Sequence, residues 1–123
     1  MREETIHYFT EKEEEFVNLL IDIGTKKNVA QLLVFLVNVP EATSREIERG
    51  TDLRQPEISI AMKYMSDQGW IKERDTPSEG KGRPMKKYSL GVPIKAIFSA
   101  IEKEKKAEAN NRLELIKKMR GYL

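Results

Sequence analysis

The chain has no cysteine and a single histidine, His7. Without thiols there are no disulfides, no thiolate catalysis, no Cys-based zinc site and no thiol redox sensing. One histidine cannot form a metal-binding cluster, and His7 stands beside Tyr8 and Phe9 near an acidic terminus, with no ligand role assigned to it. Hydrolase-type triads lack the base they require. The expectation is a protein that is not an enzyme and holds neither cofactor nor metal. No apolar run reaches the roughly 18 residues of a membrane span. The opening Met1-Arg2-Glu3-Glu4 is acidic and lacks the apolar stretch of a secretory leader. The reading is therefore of a cytoplasmic protein with no membrane partner. Internal repeats and low-complexity linkers are also missing.

What is present is enough for one domain. Of 123 residues, 39% are apolar and 34% charged, which makes the chain soluble without making it disordered. Its formal charge of +2 is bland, but the distribution is not. Residues 1–50 carry 6 Lys and Arg against 10 Asp and Glu, and residues 51–123 carry 16 against 10. The stretch from Gly80 to Lys95 holds Lys81, Arg83, Lys86, Lys87 and Lys95 with no acid. Such a block is either an anion-binding surface or a solvated face.

Local signals order the chain. Thr10 and Glu13 form a capping box at the start of a helix. Phe16, Leu19, Leu20 and Ile23 follow as its apolar stripe, and Gly24 ends it. A second helix spans 27–38, apolar nearly all round and therefore central, and Pro40 closes it. Thr43 and Glu46 make another box on a helix of two turns stopped by Gly50. After a short turn, Gln55-Pro56 opens a further helix, because proline in the first turn sacrifices no hydrogen bond. Ile58, Met62 and Met65, with Ala61, form its inner stripe, and Gly69 ends it. Trp70 to Asp75 reads as a strand, with Trp70 packed as core at its base. Residues 76–84 read as a loop and 85–90 as a return strand. Pro93 starts a last helix that runs to about Arg120.

A short capped helix, a tight turn, a second helix and an immediate hairpin make a winged helix-turn-helix. The expected fold is mainly α with a small β-hairpin wing and a long C-terminal helix. Residues 1–92 form the DNA-binding domain with its N-terminal helix, and residues 93–123 form a dimerisation helix. A helix is of the width that the major groove admits.

Residues 29–90 resemble the winged-helix domain of regulators of the MarR, ArsR and TrmB types, archaeal members especially. The run Leu53-Arg54-Gln55-Pro56-Glu57-Ile58-Ser59 to Met65 is similar to the family pattern Leu-Ser-Gln-Pro-x-Val-Ser-x-x-Leu-x-x-Leu. Asp67-Gln68-Gly69-Trp70-Ile71 is similar to Glu-x-Gly-Leu-Ile. Gly82-Arg83-Pro84-x-Lys86-Lys87-Tyr88-x-Leu90 resembles the wing and its exit strand. Arg54 departs from the usual Ser at the helix start, and Ile60 stands where relatives often carry Arg. The resemblance implies a dimeric transcription regulator that binds double-stranded DNA and associates with the nucleoid.

Within this frame the recognition helix is 55–68 and the wing 72–90. Gln55, Ser59 and Lys63 share one face, away from the inner stripe. Gln55 suits a bidentate pair with adenine, while Ser59 and Lys63 suit base edges or phosphate. Ile60 meets a thymine methyl or is simply exposed. Pro56 and Arg54 join this surface, Arg54 as a phosphate-seeking cation. Thr43, Ser44 and Arg45 lie where free helix N–H groups attract phosphate, a role compatible with plain capping. Arg83, between Gly82 and Pro84, suits a narrow A·T-rich minor groove. Lys81, Lys86 and Lys87 read as phosphate contacts. In the last helix Ile94, Ile97, Phe98 and Ile101 form a proximal stripe. Leu115, Ile116, Met119 and Tyr122 form a distal one, two heptads on from Ile101, and together they are the expected homodimer surface. The readings kept open beside this one are a winged-helix protein-interaction module and a nonspecific chromatin-type protein. No separate ligand domain fits, so an effector, whose identity the residues leave unknown, is expected to use the dimer interface.

Overall fold

The computed structural model describes residues 9–77 and 84–123. Five helices and two strands follow one another among them: α1 (Glu11–Asp22), α2 (Lys27–Asn38), α3 (Ser44–Gly50), α4 (Gln55–Asp67), β1 (Ile71–Thr76), β2 (Met85–Leu90) and α5 (Ile94–Arg120). This is the winged helix-turn-helix with a long last helix. The chain divides into two compact units, Met1–Gly91 and Val92–Leu123.

In the first unit α2 is the hub. Every residue from Val29 to Leu36 is buried, and Leu32, Leu33 and Val34 are wholly so. Cutting one of these leucines to alanine would destabilise the fold by about 2–5 kcal/mol. The Thr10 box forms as expected: Glu13 donates its N–H to Thr10 Oγ1 at 3.1 Å, and Thr10 returns its own to Glu13 Oε1 at 2.8 Å.

The buried side of α1 differs from the expected stripe. Val17 and Leu20 are buried, whereas Leu19 and Ile23 are 57% and 46% exposed. α1 with its capping residue Ile23 is apolar at 16, 17, 19, 20, 21 and 23, so two neighbouring stripes both fit a 3.6-residue period. Packing on α2 selects the side that carries Val17.

α3 also starts with its box: Glu46 N–H to Thr43 Oγ1 at 3.1 Å and Thr43 N–H to Glu46 Oε1 at 2.8 Å. Such a cap contributes about 1 kcal/mol. Gly50 is the last residue of the helix, but it does not take the left-handed turn seen at Gly24 and Gly69. Its role is contact. A Cβ there would lie 2.2 Å from Cε1 of Phe35 on α2, so glycine lets α3 lie flat on the hub.

α4 buries Ile58, Ala61, Met62 and Met65, the expected inner stripe. Trp70 is buried and meets the Tyr64 ring edge-on, with centroids 6.0 Å apart. β1 starts one residue later than expected, because the Trp70 N–H is already given to Met65 O at 3.0 Å as the helix exit. β1 and β2 pair antiparallel from Ile71↔Leu90 to Thr76↔Met85. A third segment joins them. Ala42 and Tyr88 exchange two backbone hydrogen bonds of 3.0 and 2.8 Å, which ties the α2–α3 loop to the outer edge of β2.

The second unit is α5. Ile97 and Ile101 are buried, while Phe98 is 43% exposed, and every residue beyond Lys105 is exposed. Pairs such as Lys106–Glu102 at 3.5 Å and Lys105–Glu108 at 3.4 Å run along its middle. Lys117, Lys118 and Arg120 stand in the last turn, where the helix dipole favours positive charge.

Candidate nucleic-acid interface

The corner between α3 and α4 is built from short-range bonds. Thr51 Oγ1 donates to Ile47 O at 2.8 Å and accepts the Leu53 N–H at 3.1 Å, and buried Leu53 plugs the turn. Gln55 Nε2 then reaches back to Ser44 O at 3.3 Å and Glu48 Oε1 at 3.2 Å. Gln55 therefore staples the start of α4 to α3 through its amide nitrogen.

Arg54 is the residue that caps α4, and its side chain makes no capping bond. Glu57 satisfies the position from the other side by accepting the Arg54 N–H at 3.0 Å. The Arg54 side chain stays exposed. Gln55, Pro56, Ser59, Ile60 and Lys63 are all exposed too, Ile60 at 63%. The fold brings them together on the outer side of α4. Lys63 pairs with Asp67 at 3.3 Å, but the side chains are 77% and 63% exposed, so the pair is weak and exchangeable. At the head of α3, Thr43 is buried with its hydroxyl taken by the cap, Ser44 is half-buried and Arg45 is exposed.

The hairpin separates the basic residues that looked alike in sequence. Successive strand residues face opposite ways. With the observed pairing, Lys72, Arg74 and Lys87 share one face, and Glu73, Asp75 and Lys86 share the other. Lys86 donates to Glu73 at 3.3 Å, and Glu73 together with Asp75 raises its ammonium above the ordinary lysine value. Lys87 has no acid opposite it in the ladder, since its partner is Arg74. Arg74 is engaged elsewhere. Its Nε and Nη2 donate to the two carboxylate oxygens of Glu41 at 2.7 and 2.5 Å. That hydrogen-bonded guanidinium holds the Glu41 carboxyl below the usual range despite some desolvation, helped by Lys87 and Lys72.

Sequence reasoning missed Lys72, Arg74 and Glu41. Strand alternation would have put Lys72 and Arg74 on one side, but the register was needed to add Lys87, and nothing local points from Glu41 to a residue 33 positions away. Lys81 and Arg83, assigned to the wing, lie outside the described residues, as do His7 and Tyr8. One further feature was not expected. A cavity of about 220 Å³ lies between α1, α2 and the α3–α4 turn, where buried Gln31 has an Oε1 without a partner among the described residues. It lies within the first unit.

The MarR family model matches residues 23–83. Among curated proteins nothing matches. Solved structures are similar at low identity. A PadR family transcription regulator from Clostridium difficile shares 20% identity at a TM-score of 0.44, covering 72% of this chain and 96% of its own. Pex from Synechococcus shares 17% at 0.37, covering 71% and 70%. The circadian clock associated protein Pex from Anabaena shares 15% at 0.40, covering 88% and 87%.

Proposed function

We propose, from the match of residues 23–83 to the MarR family model, that the chain regulates transcription by binding double-stranded DNA as a homodimer. α4 enters the major groove with Ser59, Ile60 and Lys63 toward the base edges. Gln55 reads a base when its bonds to α3 open. Arg54 and the head of α3, with Ser44 and Arg45, meet phosphates. The wing lies along the neighbouring backbone through Lys72 and Lys87, with its tip residues Lys81 and Arg83 at the minor groove. The observation that carries this reading is the capped α3–α4 corner followed at once by a hairpin with one basic face. No chemistry is performed: the protein acts by occupying or marking a site.

The homodimer reading rests on α5. Leu115, Ile116 and Met119 on this helix of 27 residues, and Tyr122 just past its end, are 53, 41, 62 and 83% exposed, and such an apolar stripe matches a second copy of itself. Two copies would read half-sites about 10 bp apart or a multiple of that.

A titration of specific and random duplexes across salt tests the function. Binding should weaken steeply with salt, and the specific site should keep an advantage over random duplex of about 10³-fold or more. Equal affinity for all duplexes would favour a chromatin-type role. The absence of salt-dependent binding would favour a protein-interaction module. Sedimentation of the full chain at micromolar concentration should give a dimer. A truncation after Glu102 should give a monomer that loses more affinity for a two-half-site duplex than for one half-site.

A further inference from the structure

Glu41 is set among the cations of the wing. It immediately precedes the Ala42–Tyr88 bridge, which places it at the edge of β2. From there it spans to Arg74 on β1, with a two-point bond of 2.7 and 2.5 Å. Lys72 and Lys87 stand on the same face as Arg74 and both act on the Glu41 charge. A guanidinium makes the same forked contact with a phosphate as with a carboxylate. The side chains of Arg74 and Glu41 are 53% and 28% exposed, so a competing anion can reach the pair. The hairpin is already held by its six-pair ladder and the Ala42–Tyr88 bridge. Holding the strands together therefore does not account for the pair.

We infer that Glu41 is a built-in competitor for the DNA backbone: its carboxylate occupies the anion position among Lys72, Arg74 and Lys87 and withholds Arg74 from duplex phosphates. The inference rests on the reading of the wing as a DNA contact. When the wing meets a duplex, Arg74 exchanges one anion for another, so it contributes less to binding than a free cation would. The consequence falls on DNA of any sequence, because phosphate contacts carry no sequence information. Glu41 thus lowers affinity for every duplex by the same factor, while the base contacts of α4, and with them the ranking of sites, stay as they are.

The test uses the full chain with Glu41→Gln, which removes the charge and keeps the shape. Random duplex should bind about three- to tenfold tighter, with a salt slope steeper by about 1, as for one added phosphate contact. The specific site should gain no more than random duplex does. Glu104→Gln, an equal charge change on exposed α5, should have a smaller effect. The double variant Glu41→Gln/Arg74→Gln should return to the wild-type slope, because the released cation is gone. Weaker binding by Glu41→Gln would assign the pair to positioning the wing and overturn the inference, as would an unchanged slope or a shift no larger than that of Glu104→Gln. Elution from a heparin column in a salt gradient separates the two levels. Glu41→Gln should elute later than wild type even if neither binds duplex, since any polyanion competes for Arg74. Failure of wild type on duplex then refutes the DNA reading, and coincident elution on heparin refutes the role of Glu41.

Discussion

The outer side of α4 and the basic face of the wing are neighbours in sequence and opposites in chemistry. Between Gln55 and Asp67, α4 carries one cation, Lys63, against Glu57 and Asp67, and Lys63 is paired with Asp67. The two wing strands carry four cations, Lys72, Arg74, Lys86 and Lys87, against two acids. In the proposed complex the helix supplies hydrogen-bonding and apolar groups for base edges, and the wing supplies the charge that holds the backbone. Sequence-reading and backbone-holding are then assigned to different elements. The winged design permits this because the hairpin leaves α4 directly through Trp70, whose N–H and C=O are bonded to Met65 and Gly91.

The division can be broken at several strengths. The largest effect is expected at the frame under both elements. Gly50→Leu must displace Phe35 or lift α3 from α2, and overpacking of this kind destabilises by about 1–3 kcal/mol or more. A thermal melt should show a marked drop in the midpoint, and both sequence preference and overall affinity should fall together. Next comes the charged face. Lys72→Ala/Lys87→Ala should lower the salt slope by about 2, at about 0.9 per phosphate contact, while leaving the ranking of duplex sequences unchanged. A changed ranking would mean that the wing strands read bases.

Ser59→Ala should do the reverse. The preference between sites should shrink by about 1 kcal/mol, the usual contribution of one hydrogen bond, with the salt slope intact. Competition between two duplexes at fixed salt reads this directly. The smallest effect is expected from Lys86→Ala. Its charge is already offset by Glu73 and Asp75, so the slope should move by well under 1. If Lys86→Ala and Lys87→Ala lower the slope equally, the sorting of the wing into two faces has no bearing on binding.

Much of the corner was legible in advance. The Thr43–Glu46 box, the proline in the first turn of α4 and the inner stripe of Ile58, Met62 and Met65 are relations within a few residues. The shared outer face of Gln55, Ser59 and Lys63 followed from helical periodicity alone. The staple from Gln55 to Ser44 and Glu48 did not, because it depends on how closely two helices approach. Leu19 and Ile23 were placed on the wrong side of α1 for a related reason: where a helix is apolar on two adjacent stripes, its partner decides which is buried.

The sequence by itself determined where helices start and stop, which of them is central, and that a hairpin follows the second helix of the corner. These are outcomes of caps, prolines and apolar spacing, and they act over one or two turns of chain. Only the tertiary structure decided that Gly50 is needed for the approach of Phe35, that Ala42 joins the wing, and that Lys87 belongs with Lys72 and Arg74 while Lys86 faces Glu73 and Asp75. It alone placed Glu41 against Arg74. Each of these depends on register or on contact between segments far apart in the chain. Hydrogen-bond pairing across a sheet and steric fit between helices determine those relations, and neither leaves a periodic trace in the order of residues.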